Sequence, residues 1–253
     1  NVEQFERLGW QPQDWSDLWR PELQGHLSLP DSARLVIGLT LKQLGQSANA
    51  EVGAIPDLPQ RLEALHRQVM FYSSTAYLQP LMLGDSWITV GWSTEVQPTV
   101  ERDRRIAAVV PTSGTILSVD LWVRPVGSPS RANSEPAAPN AQPNAQPSAP
   151  SPAPSGAVPS SPGPTAASSG LPSALQQWLE FCWQPDIAVQ ISQLGAAASP
   201  MLVNRDRASL PAQLQADSLL LPPADLLNRS EFLLPVRDLE AYRRLWEMMR
   251  QTG

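Results

Sequence analysis

Two residues at expected strand ends carry the recognition chemistry this sequence offers. Trp92 closes the run Trp87–Trp92 (WITVGW), and Asp120 lies in the run SVDLW. An indole face attracts a cation and a carboxylate pairs with one, so the two together suit a cationic ligand. Ligands of open α/β sheets bind outside the carboxyl ends of the strands. Each residue also has a plainer reading: a tryptophan packs into a core, and an aspartate caps a helix. The run Ser73-Ser74-Thr75 reads as a helix N-cap rather than a nucleophile. Cys182 falls on an apolar helix face, where it reads as a small hydrophobe. His26 and His66 lie far apart in sequence with no partner at ligand spacing. There is no G-x-S-x-G, P-loop, H-E-x-x-H or dinucleotide fingerprint, and no carboxylate pair stands out as an acid/base couple. We therefore expect no enzyme, no cofactor and no metal.

Composition narrows the class. The 253 residues carry 24 acids against 18 Lys and Arg, a formal charge of −6, which argues against a generally basic nucleic-acid binder. No apolar run approaches the ~18 residues of a membrane-spanning helix. The 27 prolines are about twice the usual 5% share. Eleven of them fall between Pro129 and Pro164, inside a stretch from Ser128 to Gly170 built of Pro, Ala, Ser, Asn, Gln and Gly. With no aromatic residue and only Arg131 and Glu135 charged, this stretch reads as a disordered or polyproline-II-like tether. The chain opens on Asn1 with no basic or apolar leader, so we expect either a removed targeting segment or a fragment.

The flanks of the tether must supply the framework. Asp31 reads as the cap of a helix with Ala33, Val36, Ile37, Thr40, Leu41 and Leu44 on one face, closed by Gly45. A second helix is expected from about Pro59 to Gln68, then a strand at Val69 to Tyr72. The Trp87–Trp92 strand should lead into a helix capped by Ser93 and running to about Arg104. Ile106 to Val110 reads as a buried strand; Thr115 to Val119 and Leu121 to Val126 are further strand candidates. After the tether, Pro172 to Trp183 is amphipathic, with Leu175, Trp178, Leu179 and Cys182 inward. Pro185 suits the first turn of a helix ending before Gly195, and Pro222 to Asn228 forms a short one. A terminal helix spans Val236 to Gln251, with Leu239, Tyr242, Leu245, Trp246 and Met249 on one side. Alternating strands and helices indicate an α/β fold.

Several of these runs, in order, match a known pattern. Trp15-Ser16-Asp17-Leu18-Trp19-Arg20-Pro21-Glu22-Leu23-Gln24-Gly25 resembles the W-x-D-L-W-x-P-x-x-x-G signature of periplasmic solute-binding proteins. The spermidine/putrescine-binding proteins of ABC importers are the nearest in pattern. The likeness continues through Ser28–Arg34, Lys42–Gly45, Phe71–Ser74, Gly84-Asp85, Gly91-Trp92, Pro111–Pro125 and Leu179–Asp186. It implies a type 2 periplasmic-binding-protein fold, mostly the second lobe plus the C-terminal return to the first. Residues 1–127 would be the main solute-binding region, 128–170 the tether, and 171–253 the C-terminal helical return.

The resemblance places Trp92 and Asp120 at ligand positions and Ser74 near the cleft. Ser32 and Leu35 stand where polyamine binders carry two acids, and Ser118 stands where they carry a tryptophan. Much of the diamine cage is therefore replaced, and burying a second ammonium without a partner is costly. The leading expectation is an extracytoplasmic, periplasmic solute-binding component of an ABC importer. It would bind a small, amine-bearing, polyamine-like solute through Trp92, Asp120, Ser74 and Ser32 and deliver it to permease subunits. It would contact the membrane only through the permease or a lost anchor. The alternative is a non-transporting relative that contacts a protein partner.

Overall fold

The computed structural model describes residues 1–123, 173–203 and 205–251, so the stretch expected to be a tether lies outside the described residues. Two compact units are formed: Asn1–Leu121 with Trp183–Gly253, and Trp122–Cys182.

The first unit is built on a parallel three-stranded sheet in the order β2-β1-β3. Helix α1 (Val2–Leu8) comes first, and two 3-10 turns at Trp15–Trp19 and Pro21–Leu23 lead into β1 (Leu27–Leu29). All three β1 residues are buried, as suits the middle strand of a parallel sheet. Helix α2 (Ala33–Gln43) follows, then α3 (Leu58–His66), β2 (Val69–Tyr72), α4 (Gln79–Leu83), β3 (Ile88–Thr89) and α5 (Ser93–Arg102). Leu27 pairs with Val69 on one side and Ile88 on the other. Each connection carries a helix, as parallel pairing requires.

A second, parallel pair joins β4 (Ile116–Leu117) to β5 (Glu231–Phe232). Between them in sequence, α7 (Pro185–Gly195), α8 (Ala212–Ala216) and α9 (Ala224–Arg229) follow α6 (Ser173–Cys182) of the second unit. Ala188, Leu202, Leu210, Leu214, Leu220 and Leu221 form a small core there. Helix α10 (Leu239–Arg250) then returns, setting Tyr242 and Met249 into the main core with Leu27, Ile37, Leu41, Leu62 and Leu65. In the second unit, the Trp122 ring lies 6.1 Å from that of Trp178, which lies 6.0 Å from Phe181.

Several expectations need correction. Ser32, not Asp31, caps α2: its Oγ accepts from the Leu35 N–H at 3.3 Å. Helix α2 is buried on every side from Leu35 to Lys42 rather than along one stripe, because the sheet, α3, β4 and α10 surround it. The Trp87–Trp92 strand shrinks to Ile88–Thr89, since its partner β1 is only three residues long. Of Ile106–Val110 only Ile106 is buried and none is strand: no neighbouring strand offers a ladder. Leu121–Val123 are exposed and irregular, and 124–126 lie outside the described residues. Trp178 and Leu239 face solvent instead of a core. Leu239 does so because Asp238 caps the helix, accepting from the Ala241 N–H, and leaves Leu239 in its exposed first turn.

Candidate functional site

Parallel pairing sends the carboxyl ends of β1, β2 and β3 to one edge, where the next few residues of each strand gather. Ser32 follows β1, Ser73 and Ser74 follow β2, and Trp92 follows β3. Ser74 Oγ donates to the Asp31 carbonyl at 3.2 Å, joining the β1 and β2 ends. Its lone pairs remain to accept from an N–H-bearing ligand, while the Ser32 hydroxyl, already accepting from Leu35, keeps its proton to donate.

Trp92 is partly buried against the main core and stands at the start of α5. Its backbone N–H donates to the Tyr77 hydroxyl at 3.2 Å, and that hydroxyl in turn donates to Glu95 Oε2. Tyr77 is fully buried, so it fixes the exposed Glu95 carboxylate close to the Trp92 backbone. Tyr77 and Glu95 line a cleft of about 280 Å³ together with Thr75, Ala76, Leu78, Gln79 and Met82. The sequence reading missed Glu95. Its signal was present: an acid three residues after Trp92, in the first turn of a helix.

Asp120 is exposed, lies past the end of β4, and forms no hydrogen bond or ion pair among the described residues. Ser74 is thus joined to the β1 end beside Ser32, Trp92 belongs to a separate set with Tyr77 and Glu95, and Asp120 takes part in neither.

The edge of β1 and β2 holds a second cluster that sequence reasoning did not find. The Asp31 carboxylate pairs with Arg250 Nη1 at 2.9 Å. The Arg250 guanidinium lies 5.1 Å from the Tyr72 ring centre and 5.4 Å from that of Trp246. The two rings meet edge to face at 5.6 Å, and His66 Nδ1 is 3.1 Å from the Tyr72 hydroxyl. Burial, and then the Arg250 charge, hold His66 below the usual histidine range. Burial drives the Tyr72 phenol up, against the pull of Arg250.

Residues 1–139 match the family described as bacterial extracellular solute-binding protein. The chain belongs to this family. Among similar solute-binding proteins, the putrescine/cadaverine-binding protein of Pseudomonas aeruginosa is 27% identical over 142 residues, covering 51% of this chain and 39% of that one. The spermidine/putrescine-binding periplasmic protein of Escherichia coli is 23% identical over 219 residues, covering 86% and 51%. The chain spans about half the length of the curated relatives it matches. A solved spermidine/putrescine ABC transporter substrate-binding protein from Streptococcus pneumoniae superposes with a TM-score of 0.68 at 18% identity, over 96% of this chain and 62% of that one. A second, described as a putative spermidine/putrescine ABC transporter from Listeria monocytogenes, gives 0.60 at 20%, over 95% and 62%. The fold of this solute-binding protein is therefore α/β and of the type 2 periplasmic-binding-protein kind. Among the described residues, no helix is long and apolar enough to cross a membrane.

Proposed function

We propose that the chain serves as the extracytoplasmic, periplasmic solute-binding component of an ABC importer. It holds a small amine-bearing solute at the carboxyl edge of the parallel sheet and presents it to permease subunits. The observation that carries this reading is the carboxylate of Glu95, which Tyr77 holds at the mouth of an open cleft while the same hydroxyl accepts from the Trp92 backbone N–H just past the end of β3. Ser74 accepts an ammonium N–H, Ser32 donates to a polar tail, and Asp120 joins as a second carboxylate from the segment after β4. Residues 1–127 and 171–253 make the solute-binding body in this reading, on either side of 128–170. No covalent step belongs to the mechanism. The solute stabilises a closed state by binding it better than the open one. The names of the relatives, which refer to putrescine, cadaverine and spermidine, support the amine class.

Thermal melting of the full chain against putrescine, spermidine, amino acids and small quaternary amines tests the reading. A ligand at 100 times its Kd adds about 2.7 kcal/mol of stability. At about 2–4 °C per kcal/mol, that raises Tm by roughly 5–11 °C. Trp92→Ala and Glu95→Gln should abolish the shift. A flat panel with a cooperative melt overturns it and favours the second reading, a non-transporting relative that contacts a protein partner. One observation favours that alternative: the Asp31 carboxylate is already paired within the chain.

A further inference from the structure

Arg250 satisfies, from within the chain, every recognition element a solute cation would use. A carboxylate (Asp31), a phenol face (Tyr72) and an indole face (Trp246) surround one guanidinium. Acid plus aromatic faces is the usual means of holding an organic cation. The cluster also sits at the binding edge, because Asp31 directly precedes Ser32 and its carbonyl accepts from Ser74. Asp31 and Arg250 are each about two-fifths exposed, at 39% and 42% of the side chain, so solvent reaches both partners. A side chain so placed is able to leave and be replaced.

We propose that Arg250 is a specificity-determining residue. It is a tethered cation that fills the Asp31–Tyr72–Trp246 cradle and so denies it to a second ammonium group of the solute. The proposal rests on the solute-binding reading and refines its substrate class: the edge near Trp92 and Glu95 takes one ammonium, and the edge near Asp31 takes none while Arg250 is in place. The preferred solute therefore carries a single ammonium rather than two. A tethered competitor at high effective concentration excludes a free ligand without any further contact.

The test compares wild type with Arg250→Ala, and with Arg250→Gln as a second variant that retains much of the side-chain stem. The first probe is methylguanidinium, which stands in for the missing side-chain head and does not depend on any solute. It should raise the Tm of Arg250→Ala clearly more than that of wild type, in which only the edge near Trp92 and Glu95 is open to it. If it stabilises the variants no more than wild type, the cradle is not a cation site and the proposal falls, whatever the amines do. The second probe is a calorimetric comparison of putrescine with butylamine. Both variants should bind putrescine about tenfold more tightly than wild type does, with butylamine unchanged. Equal putrescine affinity in all three proteins overturns the exclusion while leaving solute binding intact. Methylguanidinium rescue with no amine binding to any protein upholds the cradle and overturns the solute-binding reading alone.

Discussion

Replacing Glu231 with glutamine should unfold this protein more readily than any single charge change on its surface. Lys42, the one lysine of the sequence, is buried in α2 with 7% of its side chain exposed. Its Nζ has two partners, Glu231 Oε1 at 3.2 Å and the Arg229 carbonyl at 3.0 Å. Glu231 also accepts from Ser47 Oγ and from the Ala48 N–H. Removing one partner of a buried ion pair costs about 3–5 kcal/mol, because the other charge stays buried. Glu231 is 26% exposed and the Arg229 carbonyl remains, so water and one acceptor soften the loss to about 2–3 kcal/mol. At about 2–4 °C per kcal/mol, Tm should fall by roughly 4–12 °C. Adding Lys42→Met removes the stranded charge, so the double variant should recover to within about 1 kcal/mol of wild type. Urea denaturation of all four proteins, followed by circular dichroism, closes the cycle. A Glu231→Gln protein within 0.5 kcal/mol of wild type, or a double variant that loses the sum of the singles, refutes the reasoning. The pH dependence gives a second reading of the same contact. Burial pushes the Glu231 carboxyl up, but the bonds from Ser47, Ala48 and Lys42 and the Lys42 charge outweigh it and hold the group below the usual range. A carboxyl depressed in the folded state stabilises it above the unfolded pKa, and that contribution is lost as pH falls through the folded value. The gap between wild type and Glu231→Gln should therefore be full at pH 7 and narrow below about pH 4.3.

Three further outcomes are expected. Gly114→Ala should destabilise by more than about 2 kcal/mol, visible as a lowered urea midpoint: Gly114 has φ +88, and an added Cβ would sit 2.1 Å from the Arg229 carbonyl oxygen. Ser32→Ala removes the acceptor for the Leu35 N–H and should cost about 1 kcal/mol in the same assay, whereas Ser32→Gly should cost only a few tenths. Asp120→Ala should leave the unfolding free energy within about 0.5 kcal/mol of wild type, since the side chain is exposed and forms no bond among the described residues; a larger drop would mean that it holds structure rather than ligand.

Local patterns in the sequence located the longer helices but not the short α1, α4 and α8. The apolar spacing around Leu62 and Leu65 and the proline of Pro185 mark α3 and α7 to within a residue or two. Strand lengths were not legible, because they depend on the partner: WITVGW has strong strand propensity throughout, yet β1 offers it only a short ladder. The site was half legible. Trp92 follows a strand that could be read from the sequence, so the rule that ligands gather at strand ends points to it; Ser74 and Ser32 were singled out only by the family resemblance, and the three-residue β1 before Ser32 gave no strand pattern of its own. The Asp31–Arg250 pair joins residues 219 positions apart, and no local pattern reports a contact that only the return of α10 creates. Glu95 falls between: it was visible in sequence, but it became significant only through buried Tyr77, which no spacing rule connects to it.

The late segment is stitched to α2 by Arg34, which donates to the Tyr242 hydroxyl and the Leu234 carbonyl, and by Lys42 at Glu231. These contacts have consequences for the order of events during synthesis. Closing a loop costs only about 0.6 kcal/mol more for each doubling of its length, so the sequence between the two stitched parts is free to lengthen or shrink over evolution. Time is less forgiving. Ile116 leaves the ribosome long before its strand partner Glu231, by roughly 6–23 s at about 5–20 residues per second. Until then the side of α2 around Gly38, against which Leu233 will pack, is open to a holding chaperone or a protease. A chain interrupted anywhere between Leu121 and Glu231 would never close it, and its half-made core would mark it for degradation.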